Sequence, residues 1–343
     1  GKCHYIFPLE VTKEYCPFCN EKLFRLGKKR EDQKDNSIDV AFCELCGHQE
    51  AIDCNCDYCQ ILREEKAKEK IERKRQFICE QIGFDDFIAI SIKQITYRDK
   101  VLLGTLIQAG VENDFTTIKP FSDSSMQIFP SDDILNTVVN ELKKKHIIEF
   151  SPNSQLDAFI PDYDNNTFSY YLKKVSYKIN IKEFYEDKLL AREFLNPQSW
   201  MLQYPEKDPS LWEEIVYWEA LSLFNYILGF FNIRYDVGKE TEEFFWTITN
   251  QLPLAVVYSI IYQSGKNVAA YSQTDRYPKY VAYNSILQNM RTSRDKIIAG
   301  QFQRWEYNRP DKNCPQSIVS QYYFNSILKI CDSYWKILPN DFF

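Results

Sequence analysis

Apolar and polar positions alternate along this chain with three different rhythms. From Arg98 to Ala109 the residues Val101, Leu102, Leu103, Leu106 and Ile107 recur at helical spacing, and Gly110 follows as a stop. Ser131 then stands as an N-cap, with Asp132 and Asp133 in the first turn, where the helix dipole favours negative charge. Ile134, Leu135, Val138, Val139 and Leu142 form the apolar stripe of that helix, which runs out at His146. Ile147, Ile148 and Phe150 begin a strand, Pro152 to Ser154 reads as a turn, and Thr167 to Ile181 alternates like a strand. Leu211 to Phe231 is apolar over most of its circumference and predicts a central, buried helix. Further helices are expected at Thr241–Asn250, Pro253–Gln263, Tyr277–Arg291, Ser293–Glu306 and Ser317–Leu338. Gln60 to Phe77 mixes a few apolar residues with alternating Glu and Lys, the pattern of an exposed helix held by pairs such as Glu69 and Arg73.

These elements predict an α+β chain, mostly α, in four parts: a zinc-ribbon module at 1–59, a charged helical connector at 60–95, a winged-helix-like domain at 96–182 and an aromatic-rich helical bundle at 183–343. Helix, loop, helix and β-hairpin between Arg98 and Ile181 resemble the winged-helix pattern of bacterial regulators. That resemblance implies a recognition helix and a wing able to contact nucleic acid. The aspartates at the start of the helix disfavour base reading there. The basic end, Lys143, Lys144 and Lys145, with Lys173 and Lys174 near the wing, is suited to a phosphate backbone.

Composition sharpens this outline. The 343 residues are 44% hydrophobic with only 10 Gly and 14 Pro, as expected of an ordered, multi-domain protein. No apolar run reaches the roughly 20 residues that cross a bilayer, so no membrane partner is expected. No apolar leader opens the chain, which predicts a cytoplasmic protein. A net charge of −6 excludes a protein that coats nucleic acid indiscriminately. The charge is unevenly spread, basic near 60–76 and 265–312 and acidic across 183–243, which points to surfaces with different partners. In the second basic stretch Tyr283, Arg304, Trp305 and Arg309 interleave rings and cations, a pattern able to hold single strands.

The most specific signal is the cysteine spacing. Cys16-Pro-Phe-Cys19 and Cys43-Glu-Leu-Cys46 are two Cys-x-x-Cys knuckles, the ligand set of a closed tetrahedral zinc site, with Gly47 placed for a left-handed turn. Cys54, Cys56 and Cys59 form a second thiol group needing one more ligand, for which Cys3, His4 and His48 are candidates and Cys3 is preferred. Cys79 is set aside, because ~20 helical residues would carry it roughly 30 Å away. A disulfide framework would need an oxidising compartment.

Enzyme signatures are sparse. There is no Gly-rich phosphate loop and no His-Glu-x-x-His, and the three histidines are His4, His48 and His146. Asp162, Asp164 and Lys173 could serve a carboxylate nuclease but more readily form a turn. The sequence therefore predicts a zinc-binding regulatory or adaptor protein, non-enzymatic, associated with nucleic acid, DNA ahead of RNA, or with a protein subunit. The alternatives are an effector or enzyme subunit of a DNA-handling system and a pure scaffold.

Overall fold

The computed structural model describes residues 9–17, 19–26, 41–49, 56–83, 88–197, 209–274, 278–310 and 312–343. It divides the chain into two compact units, Gly1–Gln81 and Ile82–Phe343, mostly helical with small antiparallel sheets.

In the first unit β1 (Leu9–Tyr15) pairs antiparallel with β2 (Lys22–Leu26), Leu9 opposite Leu26 and Tyr15 opposite Lys22. Phe42 bridges Phe24 on one side and Gln49 on the other. Among the described residues the buried apolar cluster of the β1–β2 region is Cys16, Leu23, Ala41 and Cys43, too few to drive folding by burial. The unit continues into α1 (Asp57–Ile82), whose residues from Arg63 to Arg73 are all exposed.

The second unit opens with α2 (Tyr97–Ala109), started by a Thr96–Asp99 capping box. Gly110 closes it with φ of 161°, so the chain leaves in extended rather than left-handed conformation. Next come β3 (Thr117–Ile118) and α3 (Asp132–Lys144), where the Ser131 side chain accepts from the Ile134 N–H. β4 (Ile148–Phe150), the small hairpin β5 (Phe159–Asp162) and β6 (Thr167–Tyr170), and β7 (Tyr177–Ile179) complete this part. β7 lies between β3 and β4 in one antiparallel sheet, with β5 and β6 forming a separate one. The expected strand over 167–181 is thus two strands, separated by the turn at Lys173–Lys174.

Two short helices, α4 (Lys182–Glu186) and α5 (Lys188–Leu195), lead to the buried α6 (Ser210–Phe230). Against it pack α7 (Lys239–Thr249) and α8 (Leu254–Ser272), and α9 (Lys279–Asn284) and α10 (Ile286–Ile298) pack on α8. Gly265 on α8 allows close approach of α6, since a Cβ there would strike Ile227. Two expected helices are shorter than their apolar periodicity suggests. Gly300, at φ of 70°, stops α10, and 301–310 runs without helix. The last helix, α11 (Ile318–Ser320), widens into a π-helical turn (Gln321–Ile327) and breaks where Lys329 and Cys331 take positive φ. Within this unit α2 packs against α3, α5 and α11. No helix among the described residues is long and apolar enough to cross a membrane.

Candidate metal centre

The two knuckles have one geometry. Cys16 N–H donates to the Glu21 carbonyl and Cys43 N–H to the His48 carbonyl, both at 2.7 Å. The Asn20 N–H returns to the Cys16 carbonyl and the Gly47 N–H to the Cys43 carbonyl, both at 2.9 Å. The residue after each second cysteine is left-handed, Asn20 at φ 59° and Gly47 at φ 71°. Asn tolerates that region better than other side chains. The sequence marks the second turn by its glycine, whereas the first carries the subtler Asn20.

This repeated turn brings four thiols together. Cys16 and Cys46 sulfurs are 3.4 Å apart, Cys19 and Cys43 3.3 Å, and Cys19 and Cys46 3.7 Å. A tetrahedral ion with sulfur ligands at 2.3 Å sets sulfur–sulfur edges of about 3.8 Å, whereas a disulfide would bring them to about 2.0 Å. The cluster therefore has the dimensions of a four-thiolate metal shell, and no described cysteine is in a disulfide. The thiols are unequal. The Cys46 backbone N–H lowers Cys43 to about 7, whereas burial pushes Cys46 up to about 12. Backbone N–H groups aimed at sulfur favour the thiolate, the form that binds metal.

His48, Cys56 and Cys59 form a second group able to hold a metal. His48, one of the candidates for the further ligand of this group, lies with the thiols. Cys3 and Cys54, expected in this group, lie outside the described residues, as does His4.

The cations expected to face nucleic acid have varied surroundings. The Lys143 ammonium stands 3.4 Å from the centre of the Phe150 ring and 4.6 Å from that of Tyr170. Burial there lowers it to about 8. Lys145 pairs with Asp99 at 2.7 Å and Glu141 at 2.8 Å, and Lys173 with Asp132 at 2.7 Å. Lys144 and Lys174 are exposed, the latter over the Tyr171 ring. Arg304 and Trp305 are exposed and Tyr283 is half-buried. Arg309 points inward, its guanidinium 2.5 Å from the Glu219 carboxylate, 3.1 Å from the Tyr334 hydroxyl and over the Trp335 ring. Asp162 accepts from Asn165 at the tip of the β5–β6 hairpin, so it serves a turn.

A cleft of about 420 Å³ opens between α3, α6 and α7. Asp133, Glu214, Glu242, Tyr217 and Trp218 line it, and its one cation, Arg98, is bound to Glu141 and Glu214. No protein-family model matches the chain, and neither a curated protein nor a solved structure matches it.

Proposed function

We propose that the chain is a zinc-braced, non-enzymatic adaptor that associates with nucleic acid, DNA ahead of RNA. Zinc suits the four-cysteine cluster because an all-thiolate shell of this size is its usual closed, structural site. The ion would brace a unit whose described residues bury only a small apolar cluster around the knuckles.

The observation that carries the nucleic-acid reading is the order of the central sheet. The last strand of that sheet, β7, lies between β3 and β4, with α3 before β4 and the β5–β6 hairpin between β4 and β7; this strand order is one that a winged helix also has, and it supports the reading. In that arrangement α3 would be the recognition helix and 151–176 the wing. Asn136, Asn140 and Lys144 are exposed and four residues apart, so they form a row on one face of α3. Amide side chains suit adenine edges, and Lys144 with Lys174 supplies exposed charge for phosphates. The Lys173 pairing with Asp132 offsets one of the two carboxylates that would repel a phosphate.

The test is fluorescence anisotropy of the zinc-loaded chain with duplex DNA, single-stranded DNA and RNA at two salt concentrations. Duplex binding should weaken steeply with salt, and changing both Lys144 and Lys174 to Glu should lower the salt slope by about 2. Absence of binding at low salt sinks this reading.

A second reading, a protein-binding scaffold, draws on the acidic, aromatic-lined cleft, whose charge suits a basic segment rather than a phosphate. It takes precedence if nucleic acid fails to bind while an oligoarginine peptide binds and Glu242→Lys abolishes that binding.

A further inference from the structure

His48 follows the second knuckle by two residues and is only 8% exposed. Its Nδ1 lies 3.1 Å from the Cys59 sulfur and 3.5 Å from the Cys56 sulfur. All three donor atoms fall within 4.8 Å of one another. A tetrahedral ion with nitrogen at 2.0–2.1 Å and sulfur at 2.3 Å sets a nitrogen–sulfur edge of about 3.6 Å. The Cys56 separation matches that edge and the Cys59 separation is about 0.5 Å shorter than it. A ring nitrogen carries either one proton or one lone pair, so a single hydrogen bond explains one close sulfur but not two converging on it.

We infer that His48, Cys56 and Cys59 bind a second ion of the same thiophilic divalent class, distinct from the four-cysteine centre. These ligands, one nitrogen and two sulfurs, leave the fourth position of a tetrahedral ion to a further donor. The Cys56 carbonyl accepts the Gln60 N–H at 3.0 Å, the first bond of α1, which makes Cys56 the N-cap and Cys59 the third helical residue. Side chains at those two positions fold back over the open end of a helix. There the dipole favours thiolates, the charge a metal requires.

The ion ties the start of α1 to the second knuckle, at the N-terminal end of a helix whose residues from Arg63 to Arg73 are all exposed. The two centres are also unequal partners, a dependence that rests on the zinc reading of the first. The His48 carbonyl accepts from Cys43 N–H, and the His48 N–H points at the Cys46 sulfur, so the knuckle sets where the imidazole stands. Emptying the four-cysteine centre removes the scaffold of the second. Emptying the second leaves the four thiols in place.

The experiment counts zinc by native mass spectrometry on the full chain and repeats the loading with cobalt(II), whose bands report the ligand set. The native chain should carry two ions. His48→Ala should carry one, with an all-sulfur cobalt spectrum, and that retained ion shows that the module is still folded. His48→Cys should restore two ions, and Cys43→Ser should carry none. A native chain holding one all-sulfur ion, or a His48→Ala chain still holding two, overturns the inference and leaves the four-cysteine centre standing. Two ions in the native chain with one surviving Cys43→Ser overturns the dependence between the sites. No ion at all overturns the zinc reading of the first centre as well.

Discussion

Arg304 and Arg309 stand five residues apart in the same basic stretch, and their surroundings give them opposite roles. Arg304 and its neighbour Trp305 are exposed, whereas the Arg309 side chain is 9% exposed against a Glu219 side chain at 2%. Burial opposes the charged guanidinium, and the adjacent carboxylate more than offsets that, raising Arg309 above its ordinary range. Glu219 also accepts from the Ser317 hydroxyl at 2.6 Å, so the pair sits within a satisfied polar network. Removing one member strands the other in an apolar interior. Arg309→Met is therefore expected to cost about 3–5 kcal/mol in urea unfolding. Arg304→Glu should stay within about 0.5 kcal/mol. Equal, small effects from both changes would refute the buried role of Arg309. The sequence could not separate these arginines, because Glu219 lies 90 residues before Arg309 and leaves no local mark. The knuckle cysteines are the opposite case. Each knuckle repeats two cysteines three residues apart, so spacing alone speaks of the chemistry, even though the closest sulfurs, Cys16 with Cys46 and Cys19 with Cys43, come from different knuckles. His48 falls between, since its sulfur partners are close in sequence but its position after a turn has an ordinary explanation too.

At the scale of elements, periodicity located α2 and α3 almost to the residue, because each carries a cap and an uninterrupted apolar stripe. It overran α10 and the last helix, where an apolar pattern persists after the backbone has turned. Phe302 shows why. It is apolar and in helical phase with the residues before Gly300, yet it lies beyond the helix and is 49% exposed, with the Lys296 ammonium 4.7 Å from its ring centre. An apolar residue in helical phase marks neither a continuing helix nor a buried position. Gly104 is a further case that composition leaves unread. It lies inside α2, where glycine weakens a helix by roughly 1 kcal/mol relative to alanine, so propensity alone favours Gly104→Ala. The Tyr322 ring occupies the space a Cβ would need, and its hydroxyl donates to the Phe194 carbonyl at 2.7 Å. Packing should win. Gly104→Ala is expected to destabilise the second unit by about 1–3 kcal/mol, in spite of better helix propensity. A gain in thermal stability would show that α2 and the π-helical turn are not so closely opposed.

Within the second unit, one charge network joins three helices that lie far apart in sequence. Arg98 on α2 reaches Glu141 on α3 at 2.8 Å and Glu214 on α6 at 2.7 Å, while Lys145 binds Glu141 and the buried Asp99. Burial raises the Glu141 carboxyl, but Lys145 and Arg98 outweigh it and hold Glu141 below its ordinary range. Glu183 is lowered in the same sense: burial raises it, while the Ser91 hydroxyl and the Ile92 N–H bind its charged form. A carboxylate depressed in the folded state binds fewer protons there than in the unfolded chain. Its contribution is therefore complete above the unfolded value, about 4.3 for glutamate, and is lost as pH falls through the lower folded value. Thermal stability of this unit should be flat with respect to these groups from pH 7 to about 5 and should drop below about 4.3. Glu141→Gln should lower stability at pH 7 and make the acid limb shallower, because the mutant has already lost what acid removes. Acid would also protonate the thiols of the candidate metal centre in the first unit, which would confuse a global probe. Tryptophan fluorescence avoids this, since all six tryptophans, from Trp200 to Trp335, lie after residue 81. An acid limb equally steep in Glu141→Gln and in the native chain, read by that signal, would show that other groups govern the acid response.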